Sequence, residues 1–462
     1  MCNSKKVAAI AAVGLLFMLN NSASAQSDSA FRLIEPSERF DLKFSLLNRF
    51  DFLDGQFRLA NNGSSDQLFT SRLLVDGTYR KDSFTLNIEI ADTRQALADE
   101  GTPVHSRTSG ALDLQQLYAT WRWQDVGAQN DDIELKVGRQ TLDYEARRLI
   151  ARTMSIEPHS FTGFSIDMLR NNGDRWSTFH FAPVLRYPDD RAGIIDNAIE
   201  WNEESEGARL SGVFAALPNL IPGLRSEWYA FHLEEKDTGV EEYADLSITT
   251  FGTRIFKVPA DSAFDFEIQT AWQIGESRAS AASSDTRDLD HRAAFYHVEV
   301  GYTFDVAFKP RLHLLYDYAS GDKDPFDNEN NRFDSLFGAR RSDFGQTSIY
   351  GPFSRTNLAT VGVRAMVNFH ANLNLMVFAR DLELASTRDS WGGTGWRDST
   401  GRSGADLGRQ FEARLRWNAV PRTLAVDTGI TWLRAGKFAH KVSSGQAPSM
   451  TRFVYFQTLI SF

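Results

Sequence analysis

From Phe40 onward the chain alternates apolar and polar positions with a period of two, the signature of strands with unlike faces rather than of helices. Phe40, Leu42, Phe44, Leu46, Phe50 and Phe52 interleave with Asp41, Lys43, Ser45, Arg49 and Asp51, and only Leu47 and Asn48 break the rhythm. Phe84, Leu86, Ile88 and Ile90 repeat it against Thr85, Asn87 and Glu89, and Phe264, Phe266, Ile268, Trp272 and Ile274 do so against Asp265, Glu267, Gln269 and Gln273. The runs Ala294, Tyr296, Val298, Val300, Tyr302, Phe304 and Phe411, Ala413, Leu415, Trp417 follow the same rule. About 18 such segments, each near the ~10 residues that cross a bilayer at barrel tilt, predict antiparallel strands facing lipid on one side and water on the other. The apolar face of these runs carries no Asp, Glu, Lys or Arg, as the ~2–4 kcal/mol cost of Arg or Lys at a bilayer midplane demands.

The connections carry an independent signal. Tight links fall at Arg80 to Ser83, Asn171 to Asp174, Val258 to Ser262, Asp305 to Lys309, Phe369 to Asn372 and Asn418 to Arg422. Long polar links lie between them, at Leu53 to Gln67, Thr93 to Leu112, Pro183 to Glu206, Gly275 to Asp290, Gly321 to Arg355 and Ala385 to Leu407. Long and short links on opposite rims fit a barrel with a periplasmic and an external face, and both termini on the short-turn side require an even strand count. Val454, Phe456, Thr458, Ile460 and Phe462 give the last strand an outward face ending on phenylalanine, as in the C-terminal signal read by the outer-membrane assembly machinery. Pairing that strand with the first, near Phe40, removes the free edge.

Composition narrows the class. Of 462 residues 42% are hydrophobic and the mean hydropathy is −0.35, so after the N-terminus no run approaches the ~20 apolar residues of a membrane helix. Lys5 and Lys6, the apolar stretch Val7 to Leu19 and Ala23-Ser24-Ala25 read as a cleaved signal peptide over residues 1–25. A periplasmic segment is expected over 26–39 and a single barrel over 40–462. The lone cysteine, Cys2, is lost with the signal peptide, which excludes disulfide chemistry. Without Lys5 and Lys6 the net charge of −10 becomes −12, which argues against nucleic acid as a partner.

The polar face of the strands is crowded with charge of both signs: Lys43, Arg49, Arg72, Arg122, Lys136, Arg254, Arg311, Arg364, Arg414 and Arg416 beside Asp41, Asp76, Glu89, Glu134, Asp265, Glu267, Glu299, Asp317, Glu412 and Asp427. A lumen this charged is expected to be wet. Lys136-Val137-Gly138-Arg139-Gln140, followed by Asp143-Tyr144-Glu145-Ala146-Arg147-Arg148-Leu149, resembles the signature of the alginate export porin family. Tyr316 to Asp322, Phe333 to Phe337, Tyr350 to Leu358 and Leu384 to Trp391 are similar to that family's central region.

The resemblance implies a monomeric outer-membrane barrel of about 18 strands, with an electropositive constriction passing a linear polyuronate. It implies no cofactor, and as partners outer-membrane lipid, the barrel assembly machinery and periplasmic export proteins. By resemblance Arg139, Arg147, Arg148 and Arg355 belong to the constriction; by strand facing alone Arg72, Arg122, Arg364 and Arg414 join them. Guanidinium groups suit this role because they stay charged and grip carboxylates in a planar fork.

Other readings stand beside this one. Each inward arginine can equally belong to a cross-strand ladder of ion pairs, so a positive pore needs inserted loops carrying Arg147, Arg148, Arg340, Arg341 and Arg355, while Glu145 dilutes the charge there. A general or small-anion porin shares the scaffold, and an adhesin or lipid hydrolase would place its activity on the long loops. No nucleophile-elbow motif supports catalysis, so an enzyme is not expected. The acidic run Asp322, Asp324, Asp327 and Glu329 lacks EF-hand spacing and reads as a solvated loop, and His297 with Glu299 supplies too few ligands for zinc. Direction of transport is not written in these residues.

Overall fold

The structure, a computed structural model, describes residues 37–58, 65–152 and 156–462. The signal peptide expected over 1–25, and all but 37–39 of the segment expected over 26–39, lie outside the described residues.

Strands follow one another along the chain as β1 (Phe40–Asp54), β2 (Ser65–Lys81), β3 (Phe84–Ala96), β4 (Gly110–Val126), β5 (Asp131–Gln140), β6 (Phe161–Leu169) and β7 (Arg175–Leu185). After the two-residue β8 (Glu203–Glu204) come β9 (Ala208–Leu217), β10 (Arg225–Glu235), β11 (Leu246–Lys257), β12 (Ala263–Ser277), β13 (Leu289–Thr303) and β14 (Arg311–Ala319). The two-residue β15 (Glu329–Asn330) precedes β16 (Leu358–His370), β17 (Leu373–Glu383), β18 (Asp406–Val420), β19 (Leu424–Ala435) and β20 (Met450–Ser461). Setting aside β8 and β15, which add to β7 and β13, each strand pairs antiparallel with its sequence neighbours, and β20 returns to β1. The result is a closed barrel of 18 strands.

Closure is tight at the seam. β1 and β20 pair from Ser45 opposite Ser461 to Asp54 opposite Arg452. Phe44 and Phe462 extend the ladder by exchanging N–H···O bonds of 2.8 and 3.0 Å, and their rings stack 5.9 Å apart. A barrel wall in hydrocarbon leaves no backbone group to be satisfied by water, so this exchange completes a requirement of the whole sheet.

The expected faces hold on most strands. Phe264, Ile268, Trp272 and Ile274 point outward and are exposed, whereas Asp265, Gln269 and Gln273 are buried inside. On β6, β7, β9, β10, β11 and β13 some inward positions are apolar instead of polar. In β7 the outward residues are Trp176, Thr178 and His180, and the inward ones Ser177, Phe179 and Phe181. Those phenylalanines join Phe161, Phe214, Phe231 and Phe295 in an apolar cluster inside the barrel, against Tyr144 and Phe333 from loops. A second interior cluster gathers Phe57, Tyr350, Phe353, Trp391, Trp396 and Phe438 towards the long-loop end.

Apolar clusters therefore stand beside the charged residues inside the bore. Loops fold into the bore and bring apolar side chains, which bury themselves only against an apolar wall. The polar residues displaced to the outside are satisfied there: His180 Nδ1 lies 2.7 Å from Ser211 Oγ, and Thr178 Oγ1 donates to the Gly212 carbonyl at 3.3 Å.

Because Phe462 supplies both a ring and a backbone pair at the seam, its deletion is expected to lower the yield of heat-modifiable barrel in electrophoretic assembly assays. An undiminished yield would show that the seam closes without it.

Candidate functional site

Among the loops inside the bore, two segments cross each other. The first, 141–152, follows β5, and its entry depends on Gly138. That residue has φ +127°, and a Cβ there would lie 2.3 Å from the Leu117 carbonyl oxygen of β4, so only glycine lets the strands close at this point. The segment then takes left-handed conformations at Glu145 and Arg147. Such conformations are strained for residues with a Cβ and need external support. The Glu145 carboxylate provides it, accepting the backbone N–H groups of Arg148, Leu149 and Ile150 at 3.1, 2.7 and 3.2 Å.

The second segment, 335–357, crosses the first. Phe337 N–H donates to Leu149 O (2.9 Å), Ala151 N–H to Phe337 O (3.2 Å) and Ala339 N–H to Arg147 O (2.9 Å). A Cβ on Gly338 would stand 1.8 Å from the Arg148 carbonyl oxygen, so the crossing also demands glycine.

Side chains bolt the crossed segments together and to the wall. Arg148 reaches Asp343 Oδ2 at 3.0 Å, Gln269 Oε1 at 2.7 Å and His297 Nε2 at 2.9 Å, and pairs with Glu267. Arg355, wholly buried, donates to the carbonyls of Arg148 (3.1 Å) and Ala339 (2.6 Å) and pairs with Asp343. Arg152 pairs with Glu89 of β3 at 2.6 Å.

Towards the short-turn rim the crossed segments roof a cavity of about 470 Å³. Its walls come from β11 to β18, and the β11–β12 turn at Pro259 to Asp261 borders it. Eight arginines (Arg147, Arg148, Arg254, Arg311, Arg341, Arg364, Arg414 and Arg416) and two lysines (Lys257 and Lys309) line it, against five carboxylates: Asp261, Asp265, Glu267, Glu299 and Asp343. Above it, a space of only about 30 Å³ lies among Leu47, Arg49, His105, Arg107, Arg340 and Gln457. Arg341 lines both spaces. It shares one carboxylate, Asp427, with two further guanidiniums: Arg341 at 3.2 Å, Arg414 Nε at 2.9 Å and Arg416 Nε at 3.5 Å.

Of the arginines expected to line the pore, the fold brings Arg147, Arg148, Arg364 and Arg414 together on this cavity. The other four stand elsewhere. Arg355 is sealed within the segment crossing, where it serves as a latch, and Arg72 donates to the Ile156 carbonyl at 2.5 Å. Arg139 is tied to Glu204 at 2.7 Å and to backbone carbonyls, and Arg122 pairs with Glu134 at 2.5 Å in an exposed position near the short-turn rim. Arg254, Arg311 and Arg416 were legible as inward-facing but not as site residues, because alternation fixes the face of a residue and not its height in the bore. Glu145, expected to dilute charge, is a backbone clamp.

Outside the strands, burial among Arg107 and Arg340 holds His105 near 3, so that ring is neutral and the charge there belongs to the arginines. The acidic loop run is occupied by protein contacts: Asp324 pairs with Arg388 at 3.0 Å and Asp327 accepts the Glu329 N–H at 2.8 Å. Among the described residues no group of three or more His, Cys, Asp or Glu is placed to hold a metal ion, and no helix is long and apolar enough to cross a membrane.

A closed 18-stranded barrel with an apolar outer wall and a charged, loop-narrowed bore belongs to the class of outer-membrane channels. The sequence profile described as alginate export matches residues 39–453, and the chain belongs to that family. No curated protein sequence matches closely enough to count as a relative.

Among solved structures the chain is similar to the outer membrane protein OpdK from Pseudomonas aeruginosa, with TM-score 0.54, 14% identity, and coverage of 91% of this chain and 99% of that one. OpdK with vanillate, from the same organism, matches with TM-score 0.55 and 14% identity over 91% and 98% of the two chains. OccAB4 from Acinetobacter baumannii gives TM-score 0.56 and 12% identity over 93% and 100%. At such identities these likenesses establish the fold, and with the family they place the protein in the outer membrane of a Gram-negative bacterium.

Two outcomes are expected from this geometry. Replacing Arg355 with Ala leaves Asp343 and two carbonyls short of a buried partner, a loss of about 3 kcal/mol or more. Trypsin should then cut within 141–152 while the barrel stays heat-modifiable; unchanged protection would deny Arg355 its latching role. The second concerns Glu157, which accepts from Gln115 at 3.0 Å and whose carboxyl burial pushes up from 4.5 to about 7. Its contribution to loop stability is full below about 4.5 and is lost as pH rises through about 7. Trypsin protection of the loop should therefore fall between pH 5 and pH 8 in the wild type and stay level in Glu157→Gln, and a parallel decline in both would contradict this.

Proposed function

We propose that this channel passes anionic solutes, with a carboxylated polysaccharide of the alginate type as its cargo, and that it selects them electrostatically in the cavity beneath the crossed segments. The observation that carries the reading is the cation excess of that cavity, together with the sharing of Asp427 by Arg341, Arg414 and Arg416. Three guanidiniums converge on that one carboxylate, and a uronate carboxylate offers the same planar acceptor that a guanidinium fork fits. Successive sugars exchange water for these donors and leave again, because no single site binds tightly.

In this reading the 335–357 segment, which carries Arg341, shifts to let a sugar pass. The two latches of that segment, Arg355 and Asp343, become gate elements in this reading. Expression with a cleaved signal peptide, assembly through the barrel machinery and a monomeric state complete the proposal. A small-anion porin is the second reading, favoured by the narrowness of the space at Arg341.

Planar-bilayer recording separates the two. Polyuronate oligomers are expected to block single-channel current from one side or both, and Arg341→Gln with Arg416→Gln should weaken block several-fold while conductance persists. Conductance that oligouronates never interrupt would leave the small-anion reading, and an absence of conductance would sink both.

A further inference from the structure

The outer wall carries a feature that transport does not use. On the lipid-facing side of β16 to β19 lies a groove of about 620 Å³. Its small outward residue is Ala379, which stands between Val363 of β16 and Phe411 of β18, with Trp432 of β19 beyond. Phe411 and Trp432 form a wall, their ring centroids 5.3 Å apart.

One row nearer the long-loop rim the outward residues are charged: Asp381, Arg409 and Arg434 stand on three successive strands. Arg409 and Arg434 face each other directly across β18 and β19. Like charges at opposed positions destabilise a sheet, and here both side chains are exposed. Asp381, 2.6 Å from Arg409, is the one carboxylate in the row, and no ion pair to Arg434 is found among the described residues. The nearest further cation on this face, Arg452, is already balanced by Asp54 at 3.0 Å.

Height fixes the environment. Trp417, on the same strand and the same face as Arg409, lies eight residues towards the short-turn rim, roughly 20 Å along the membrane normal at barrel tilt. Arg409 and Arg434 thus sit at the outer edge of the apolar band, at headgroup level, with the apolar groove running down into the hydrocarbon.

We propose that this groove is a binding site for a phosphorylated glycolipid of the outer leaflet, of the lipid A type. Its phosphate lies between the two opposed guanidinium groups, and an acyl chain lies along Ala379 between Val363 and Phe411. The phosphate removes the repulsion between the arginines, and the groove accounts for the acyl chain. Elsewhere on the outer rim a surface cation such as Arg94 has its own carboxylate, Asp92, at 3.0 Å and needs no such ligand.

The test uses the purified full chain in detergent, incubated with bis-phosphorylated hexa-acyl lipid A or with its dephosphorylated counterpart, and counts retained lipid by native mass spectrometry. The wild type is expected to favour the phosphorylated lipid by at least about tenfold, the scale of two surface cations against an anionic head. Arg409→Gln with Arg434→Gln should erase that preference, Ala379→Phe should lower retention of both lipids by filling the groove, and Arg94→Gln should change neither. Heat-modifiability reports folding of every variant independently, and conductance reports the channel independently of the lipid. Equal retention of the two lipids by the wild type, or a preference that survives in the double arginine variant, would overturn the proposal.

Discussion

The constraint behind everything else is that a backbone group in hydrocarbon finds its hydrogen-bond partner in the chain or not at all. It forces the sheet to close, and the return of β20 to β1, extended by Phe44 and Phe462, is where that demand is met. A ring of 18 strands then encloses a bore too wide to be filled by its own side chains. The chain answers with segments 141–152 and 335–357, whose backbone needs partners just as the wall does. Glu145 and Arg355 supply them, while Gln269 holds the Glu145 carboxylate and Gln273 the Asp334 carbonyl, so much of the polarity turned inward holds loops in place.

The same demand explains how an ion-pair ladder and the proposed cationic bore coexist. Arg254 stands between two carboxylates, Glu227 and Glu267, and belongs to the wall. Asp427 and Glu299 are each shared by several arginines, Asp427 by three and Glu299 by Arg311 and Arg364, with the His313 ring also against Glu299. Pairing stabilises these arginines without neutralising the site. That is the physical content of the proposed selectivity: guanidiniums held in place by carboxylates that several cations share, gathered on one cavity.

Alternation made the strand class, the closure and the outward face readable, because each depends on period two alone. The alternation of short and long links made the two rims readable in the same way. The interior was less legible. Phe179 points inward where Tyr144 stacks on it and Phe181 where Phe161 packs on it, contacts between residues some 20 to 35 positions apart that no local pattern announces. Arg355 sits in a motif shared with the family, yet its motif reflects the crossing with Arg148 rather than exposure to the bore. Gly138 and Gly338 lie in or beside quoted motifs and could have flagged close backbone approach, since a glycine kept where strands meet marks a place a Cβ cannot go. Arg341 is legible as a loop cation, but its place on the cavity depends on the fold of a segment that periodicity does not reach.

The most direct measurement is the zero-current potential of the reconstituted wild-type protein across a bilayer separating two concentrations of potassium chloride. The account predicts a sign corresponding to chloride passing in preference to potassium, with the preference weakening as ionic strength screens the guanidiniums. A potential of the opposite sign would mean that the bore's surplus charge is negative, and it would contradict the account at its centre.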